Sequence, residues 1–315
     1  LVEPADYVYA VGDPFQSIFG FAGASPEHLL DWPATKTKNL DRSFRCPADI
    51  VALGERILRP TKRYFDRGIA PAAHTGSVER TRWESRWFEG LDVGSDVLCL
   101  ARTRRQAARF GERLETNGLL WSPIEGTNRW SAPTRNEGLA CLWRLQRREQ
   151  VSPGAWREAI KLLPAKDDEG VQLLARGTKT NFKKSSRDWD NERNDVGGLT
   201  EWGATAELSR RVLDGRWTGL VTPSPAKFVA TADEHGLDVA MRPPIRVGTV
   251  HAAKGLEADT VFYLTTVTHQ VHRSMQDELG RDEEARIAYV AVTRAKRRLV
   301  ILDEAHVSFR TEVPR

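Results

Sequence analysis

Cysteine is scarce in this chain. Three in 315 residues, Cys46, Cys99 and Cys141, stand alone with no Cys-x-x-Cys spacing. That argues against a disulfide framework or a cysteine-built zinc site, and makes a reducing, cytoplasmic setting the default. Methionine is scarcer, at two, and position 1 is Leu1. No apolar run approaches the roughly 18 residues of a membrane span, and no signal-peptide pattern opens the chain. Neither sign of charge dominates. The 47 Lys and Arg face 43 Asp and Glu, for a net charge of +4 and a pI near 9.0. So mild a basic excess permits a polyanionic partner without demanding one. Missing too is any GxxxxGK[ST], the loop whose backbone amides cradle nucleotide phosphates. There is no internal repeat and no long low-complexity tract.

Apolar residues make up 40% of the chain, enough for real cores, and the length predicts about two domains. Residues 7–11, YVYAV, read as a short strand stopped by Gly12-Asp13-Pro14. Gln16 and two aromatics, Phe19 and Phe21, then fall at that strand's carboxyl end, where open α/β sheets bind ligands. After Pro47 the pattern is helical, with Ile50, Leu53, Ile57 and Leu58 on one face. Residues 95–101, SDVLCLA, form a continuous apolar strand that runs through Arg102-Thr103 into a helix ending at Gly118. Residues 245–266 hold two strands around an Ala-Lys-Gly turn. Residues 283–305 read as a helix carrying Arg294 and its basic neighbours, then a buried strand at 299–302. These pieces predict a mostly parallel sheet.

The middle differs. From about 128 to 241 strand patterns give way to helical ones, and seven of the ten tryptophans lie between Trp121 and Trp217. Residues 176–187, RGTKTNFKKSSR, form a polar, basic loop there, whose part from Lys179 to Arg187 reads either as a contact for duplex DNA or a partner, through Lys183 and Lys184, or as a solvated loop. Strand patterns resume after Pro244, so the region reads as a helical insertion into the sheet domain.

Four stretches carry the chemistry: VGDPFQSIFGFAGA (11–24), LDRSFRCP (40–47), VGTVHAAKGLEADTVFYL (247–264) and EEARIAYVAVTRAKRRL (283–299). In this order they resemble motifs III, IV, V and VI of the UvrD/Rep-type superfamily 1 helicases, with the insertion lying where that family keeps its accessory subdomain. The resemblance implies an α/β fold: a RecA-like, P-loop-NTPase-type parallel-sheet domain, the second motor domain, with an inserted helical accessory subdomain. The implied divisions are 1–36, a remnant of the first motor domain carrying motif III; 37–127, the first part of the second; 128–242, the insertion; and 243–315, the rest of the second.

The resemblance also implies roles. Arg45 and Arg294 would reach the γ-phosphate of ATP across an interdomain cleft, where positioned arginines stabilise the charge of phosphoryl transfer. Gln16 would couple the γ-phosphate and attacking water to the DNA site; its bland alternative is a turn-stabilising amide. Phe44 would stack on the adenine or else pack in the core, Glu257 would contact the ribose, and Lys254-Gly255 would form the adjacent turn. Asp13 reads as a loop-fixing residue rather than a metal ligand. Phe19 and Phe21 would stack on bases of single-stranded DNA. His251 would lie on the DNA side or be a satisfied core histidine, and Arg102-Thr103 would touch a phosphate. The family departs here at Phe21, usually Trp, and Ala22, usually Arg, which implies a weaker grip on DNA. For Arg294 the alternative is a solvated helix face, a reading that suits Lys296, Arg297 and Arg298 better.

The implied activity is that of an ATP-dependent DNA helicase or translocase, moving 3′ to 5′, with single-stranded DNA and single-strand/duplex junctions as partners. ATP and Mg²⁺ are the implied cofactors. No acidic Mg²⁺-binding motif precedes motif III, since Glu3 and Asp6 do not form one, so the metal ligands are expected upstream. The chain thus reads as a fragment or half, completed by an N-terminal motor domain or a partner supplying it, and inactive towards ATP alone. The rival is a non-catalytic, helicase-like DNA-binding subunit, which would have no need to keep Gln16, Arg45 and Arg294 together. His269 and His272 lack a third ligand and read as surface histidines. Scarce Cys and Met beside abundant Trp and Arg fit a GC-rich genome, of a bacterium or its phage.

Overall fold

Val97, Leu98, Cys99, Leu100 and Ala101 are all buried, and a run apolar on both faces needs cover on both sides of a sheet. In the computed structural model, which describes residues 8–126, 132–180, 193–305 and 309–314, that run is an inner strand. Two 3₁₀ turns, Pro14–Gln16 and Gly20–Ala22, come first, then α1 (Glu27–Leu30), α2 (Ala48–Leu58), β1 (Ser77–Arg82), β2 (Val97–Ala101), α3 (Arg104–Thr116) and β3 (Ser122–Pro123). A helical stretch follows: α4 (Pro133–Gln146), α5 (Pro153–Leu162), α6 (Ala206–Leu213), α7 (Ala226–His235) and α8 (Leu237–Met241). The chain closes with β4 (Ile245–Thr249), β5 (Ala258–Leu264), α9 (His269–Ser274), α10 (Glu278–Val292) and β6 (Ala295–Asp303). The fold is α/β with a parallel sheet. None of the described helices is long and apolar enough to cross a membrane.

Residue contacts divide the chain into two units. The first comprises 1–91, 95–113 and 246–315, and its strands run in the order β1-β6-β5-β2-β4. Cys99 lies opposite Phe262, Val261 opposite Leu299, and Val78 opposite Leu299 on the other side, with a register shift in the β5–β6 pair between Ala258 and Thr260. Helix α2 buries the predicted face, Ile50, Leu53, Ile57 and Leu58, and meets α10 at Gly54, where a Cβ would lie 3.2 Å from the Tyr289 ring. Helix α3 opens on a reciprocal cap. The Thr103 hydroxyl accepts from the Gln106 amide N–H while the Gln106 side chain accepts from Thr103 N, 3.1 Å away.

Three sequence expectations need correction here. Residues 8–11 form no strand, and Tyr7 lies outside the described residues. Val8, Tyr9 and Val11 are 56%, 89% and 89% exposed, and among the described residues none pairs with this segment's backbone as a neighbouring strand would. The buried strand expected at 299–302 begins earlier, at Ala295, because main-chain pairing with β5 carries it back through Ala258 opposite Ala295. Lys296, Arg297 and Arg298 therefore lie on β6, not on a helix, and Arg298 reaches Glu79 of β1 at 2.8 Å. Arg294 sits in the link between α10 and β6 rather than on the helix.

The second unit, 92–94 and 114–245, has its own core. Leu139, Leu142, Trp156, Leu173, Leu199, Trp202, Leu208, Trp217 and Phe228 pack together in it. Its two most deeply buried tryptophans have their N–H groups satisfied, Trp156 by the Trp202 carbonyl and Trp217 by Gln146 Oε1. Helices α4 and α5 touch at Gly138, whose Cβ position lies 2.8 Å from the Glu158 carbonyl oxygen. Lys183 and Lys184, with most of the basic loop, lie outside the described residues.

Candidate functional site

The segment that begins at Asp13 is fixed to the first unit by its own side chains. Asp13 caps the first 3₁₀ turn by accepting from Phe15 N at 3.0 Å. Phe15 is buried, with the ring of Phe65 5.3 Å away and that of Tyr64 6.3 Å away. Further on, Arg286 of α10 donates from Nε to the Ser17 carbonyl at 2.9 Å. Gly20 then passes so close to Glu283 that a Cβ would lie 2.8 Å from the carboxylate. The turn thus lies along α10, within reach of that helix's carboxyl end.

There Gln16, Arg45 and Arg294 come together. Arg294 is 2% exposed, and its Nε donates to the Val290 carbonyl at 3.0 Å while Nη1 donates to the Leu256 carbonyl at 3.2 Å. Its Nη2 reaches Gln16 Oε1 and Thr293 Oγ1, both at 3.4 Å. Burial is the main cause, and neighbouring Arg45 the next, that lowers the Arg294 pKa to about 10. It remains charged at neutral pH. Arg45 donates through Nη1 to the Thr293 carbonyl at 3.2 Å and through Nε to Glu257 at 2.6 Å. Cys46, beside it, is buried, and burial raises its thiol pKa against the opposing pull of Arg45. The solvated-face alternative for Arg294 is therefore wrong: a guanidinium with this many carbonyl partners is a core group.

The turn-stabilising reading of Gln16 holds, and its side chain also meets Arg294. Its Nε2 donates to Asp13 Oδ2 at 2.9 Å, which steadies the turn, and its Oε1 is the acceptor for Arg294. Lys254 joins from the loop after β4, donating from Nζ to the Gln16 carbonyl at 2.8 Å and lying 5.4 Å over the Phe19 ring. The next residue, Gly255, has φ +88, a left-handed turn that a side chain would strain. Phe44 is 86% exposed, which removes its core alternative and leaves a free ring next to Arg45.

Phe19, Phe21 and His251 form one cluster. Ring centroids are 5.9 Å apart for the two phenylalanines, with His251 5.7 Å from Phe19 and 5.8 Å from Phe21, all edge-on. Phe21 is 77% exposed, so the cluster presents an aromatic face to solvent. Lys254 bridges the two groups, touching Gln16 on one side and Phe19 on the other.

Two predicted residues are drawn elsewhere. Arg102 pairs with Glu284 of α10 at 2.8 Å, and Thr103 spends its hydroxyl on the α3 cap. Glu284 is buried, and its burial raises the carboxyl pKa despite Arg102. Sequence reasoning missed Arg67. Its side chain is 8% exposed and donates to Asp13, to Tyr289 Oη at 3.1 Å and to Glu55 at 2.6 Å. Nothing in RYFDRG marks it, because its partners lie 12 to 222 residues away in sequence.

The cluster can hold an anion. Arg294 meets the Gln16 side chain and lies beside Arg45, which Glu257 pairs, while Lys254 meets the Gln16 carbonyl; burial disfavours the Arg294 charge until a negative group compensates it. It does not fit a divalent cation: the Asp13 oxygens are already engaged by Phe15 N, Gln16 Nε2 and Arg67. Among the described residues no group of three or more His, Cys, Asp or Glu could hold a metal ion.

Residues 228–304 match the family of the UvrD-like helicase C-terminal domain. The chain is 24% identical to the ATP-dependent DNA helicase UvrD2 of Mycobacterium tuberculosis, over 94% of its own length and 43% of the relative's. It is 22% identical to the ATP-dependent DNA helicase Rep of Escherichia coli, over 92% of this chain and 55% of that one. To the ATP-dependent DNA helicase PcrA of Bacillus subtilis it is 20% identical, over 96% and 51%. The chain spans about half the length of the curated relatives it matches.

Proposed function

We propose, from the premise that this chain is the C-terminal portion of a UvrD/Rep-type superfamily 1 helicase, that it is the arginine-bearing half of an ATP-driven DNA motor. The observation that carries the reading is the charged, buried Arg294 held beside Arg45 and hydrogen-bonded to Gln16. In phosphoryl transfer, positioned arginines stabilise charge on the transferring group, and a glutamine orients the attacking water. Arg45 and Arg294 are assigned the first task and Gln16 the second. The exposed Phe44 ring stacks on the adenine, and Glu257, which holds Arg45 through a half-exposed pair, exchanges that partner for the ribose. The phosphate cradle and the Mg²⁺ ligands come from outside these 315 residues, from a first motor domain or a partner supplying it.

On the DNA side, Phe19, Phe21 and His251 stack on or flank bases of a single strand, with Thr103 and Arg102 as lesser phosphate contacts. Both of the latter first have to give up the partners they hold here. Lys254 ties the two sites, so that ATP hydrolysis in the complete protein drives movement along single-stranded DNA, 3′ to 5′, and unwinding at junctions with duplex.

The test is steady-state ATPase of the full-length protein with saturating single strand. Arg294→Ala should lower turnover by about 10³-fold or more, in line with the loss of an arginine finger. Arg45→Ala should act in the same direction. Circular dichroism and thermal melting confirm that each variant is folded. Near-normal turnover in either folded variant rejects its assigned role. The 315-residue chain alone should show no turnover above background.

A further inference from the structure

The turn that carries Gln16 is held by one buried side chain that belongs to neither the nucleotide nor the DNA group. Arg67 follows α2 and is 8% exposed at its side chain. Three attachments converge on it. Nη1 reaches both Asp13 oxygens, at 3.4 and 3.5 Å, and Tyr289 Oη of α10 at 3.1 Å. Nη2 donates to Glu55 of α2 at 2.6 Å. Its guanidinium carbon also lies 4.8 Å over the Phe15 ring and 5.1 Å over the Tyr289 ring. One residue therefore grips the first two residues of the turn that matter, the cap Asp13 and the buried Phe15, from the two helices beneath.

The electrostatics agree with a permanent anchor. Burial works against the Arg67 charge, but Tyr289, Asp13 and Glu55 outweigh it and raise its pKa. Asp13 faces Arg67 from the turn and Glu55 faces it from α2, while Tyr289 is the α10 group it meets. Asp13 in turn accepts from Gln16 Nε2, which orients the amide whose oxygen meets Arg294. The line of contacts runs from the α2–α10 body through Arg67 and Asp13 to Gln16.

We infer that Arg67 is a positioning residue that locks the Gln16 turn to the α2–α10 body, so that Gln16 and Arg294 stay aligned during turnover. This rests on the ATPase reading above, and its test separates the two. Three variants of the full-length protein are compared: Arg67→Met, which keeps the length and loses the charge; Asp13→Asn, which keeps the cap acceptor Oδ1 but loses the charge and the Oδ2 acceptor of Gln16; and Glu55→Gln, which weakens the attachment on α2 beside the Tyr64 hydrogen bond.

The first readout is hydrogen exchange over residues 14–24. The amides of Gln16, Ser17, Ala22 and Gly23, bonded within the turns, should exchange at least about tenfold faster in the first two variants, as expected of local opening. Exchange in β5 should be unchanged in both. The second readout is DNA-stimulated ATPase. The turnover number should fall about 10- to 100-fold in both, the scale of a misplaced catalytic group. KM for ATP should move much less, because Arg67 does not touch the nucleotide group.

Glu55→Gln, which loosens the α2 attachment but leaves those to Asp13 and Tyr289, should change exchange over 14–24 and turnover in the same direction as Arg67→Met but less. The double variant of Arg67→Met and Asp13→Asn should be no slower than the worse single one, since both cut the same link. Unchanged exchange over 14–24 in Arg67→Met overturns the anchor. Faster exchange with turnover within twofold of wild type overturns the link to catalysis. A wild-type protein with no DNA-stimulated turnover overturns the proposed function, and this role with it.

Discussion

Phe21 is the residue on which exposure and role can be told apart most sharply. Its ring is 77% exposed and meets the Phe19 and His251 rings edge-on, so truncation leaves no cavity in a core. A buried phenylalanine cut to alanine costs about 3–5 kcal/mol. Phe21→Ala should therefore leave the melting temperature nearly unchanged. A base stacked on an aromatic ring contributes about 1–3 kcal/mol, so single-strand affinity of the full-length protein should fall about 5- to 150-fold. Unwinding should fall further than ATPase, because Gln16, Arg45 and Arg294 keep their geometry. Phe21→Trp should restore it. Fluorescence-anisotropy titration with a labelled single strand, beside thermal melting, decides the matter: early melting together with collapsed ATPase makes Phe21 a packing residue. Arg294 teaches the converse. Its sequence neighbours Tyr289, Val290, Val292 and Ala295 are apolar, and the residue is 2% exposed.

At the scale of the element, the contrast lies between β2 and β1. Strand β2 was legible because a run of five apolar residues is short for a buried helix and suits a strand covered on both faces. Strand β1, SVERTR, was not, since an edge strand buries little and carries no alternation to read. Its pairing with β6 is made by the main chain and by Arg298 with Glu79, both distant in sequence. The start of β6 failed for a related reason: Lys296, Arg297 and Arg298 look like a solvated helix until β5 offers them a backbone partner. In the helical unit, Gly138 carries the prediction for this scale. A methyl group there meets the Glu158 backbone at 2.8–2.9 Å, which cannot move aside as a side chain can. Gly138→Ala should destabilise that unit by about 1–3 kcal/mol through overpacking, despite alanine's better helix propensity. Urea unfolding followed by tryptophan emission checks this, and a neutral or stabilising result would mean that α4 and α5 can separate freely.

For the whole molecule, the second unit's core is drawn from residues 139–240, apart from the sheet, and this makes autonomy testable. Residues 114–245 expressed alone should unfold cooperatively in urea, with tryptophan emission shifting to the red in one transition. A gradual, featureless shift would show that the helices need the sheet unit to fold. The sequence alone determined the α/β class, the helical interruption, the order of the four motifs and the identity of the residues in them. It could do so because these rest on local patterns: apolar runs, turn chemistry and short motifs are complete within a few residues. Tertiary structure alone decided which charges meet. The Arg67 anchor, the Arg102–Glu284 pair and the Arg45–Glu257 contact join residues 12 to 222 positions apart, and no local pattern encodes them. It likewise decided that residues 8–11 are not a strand, because a strand is a property of two backbones and a sequence shows one at a time.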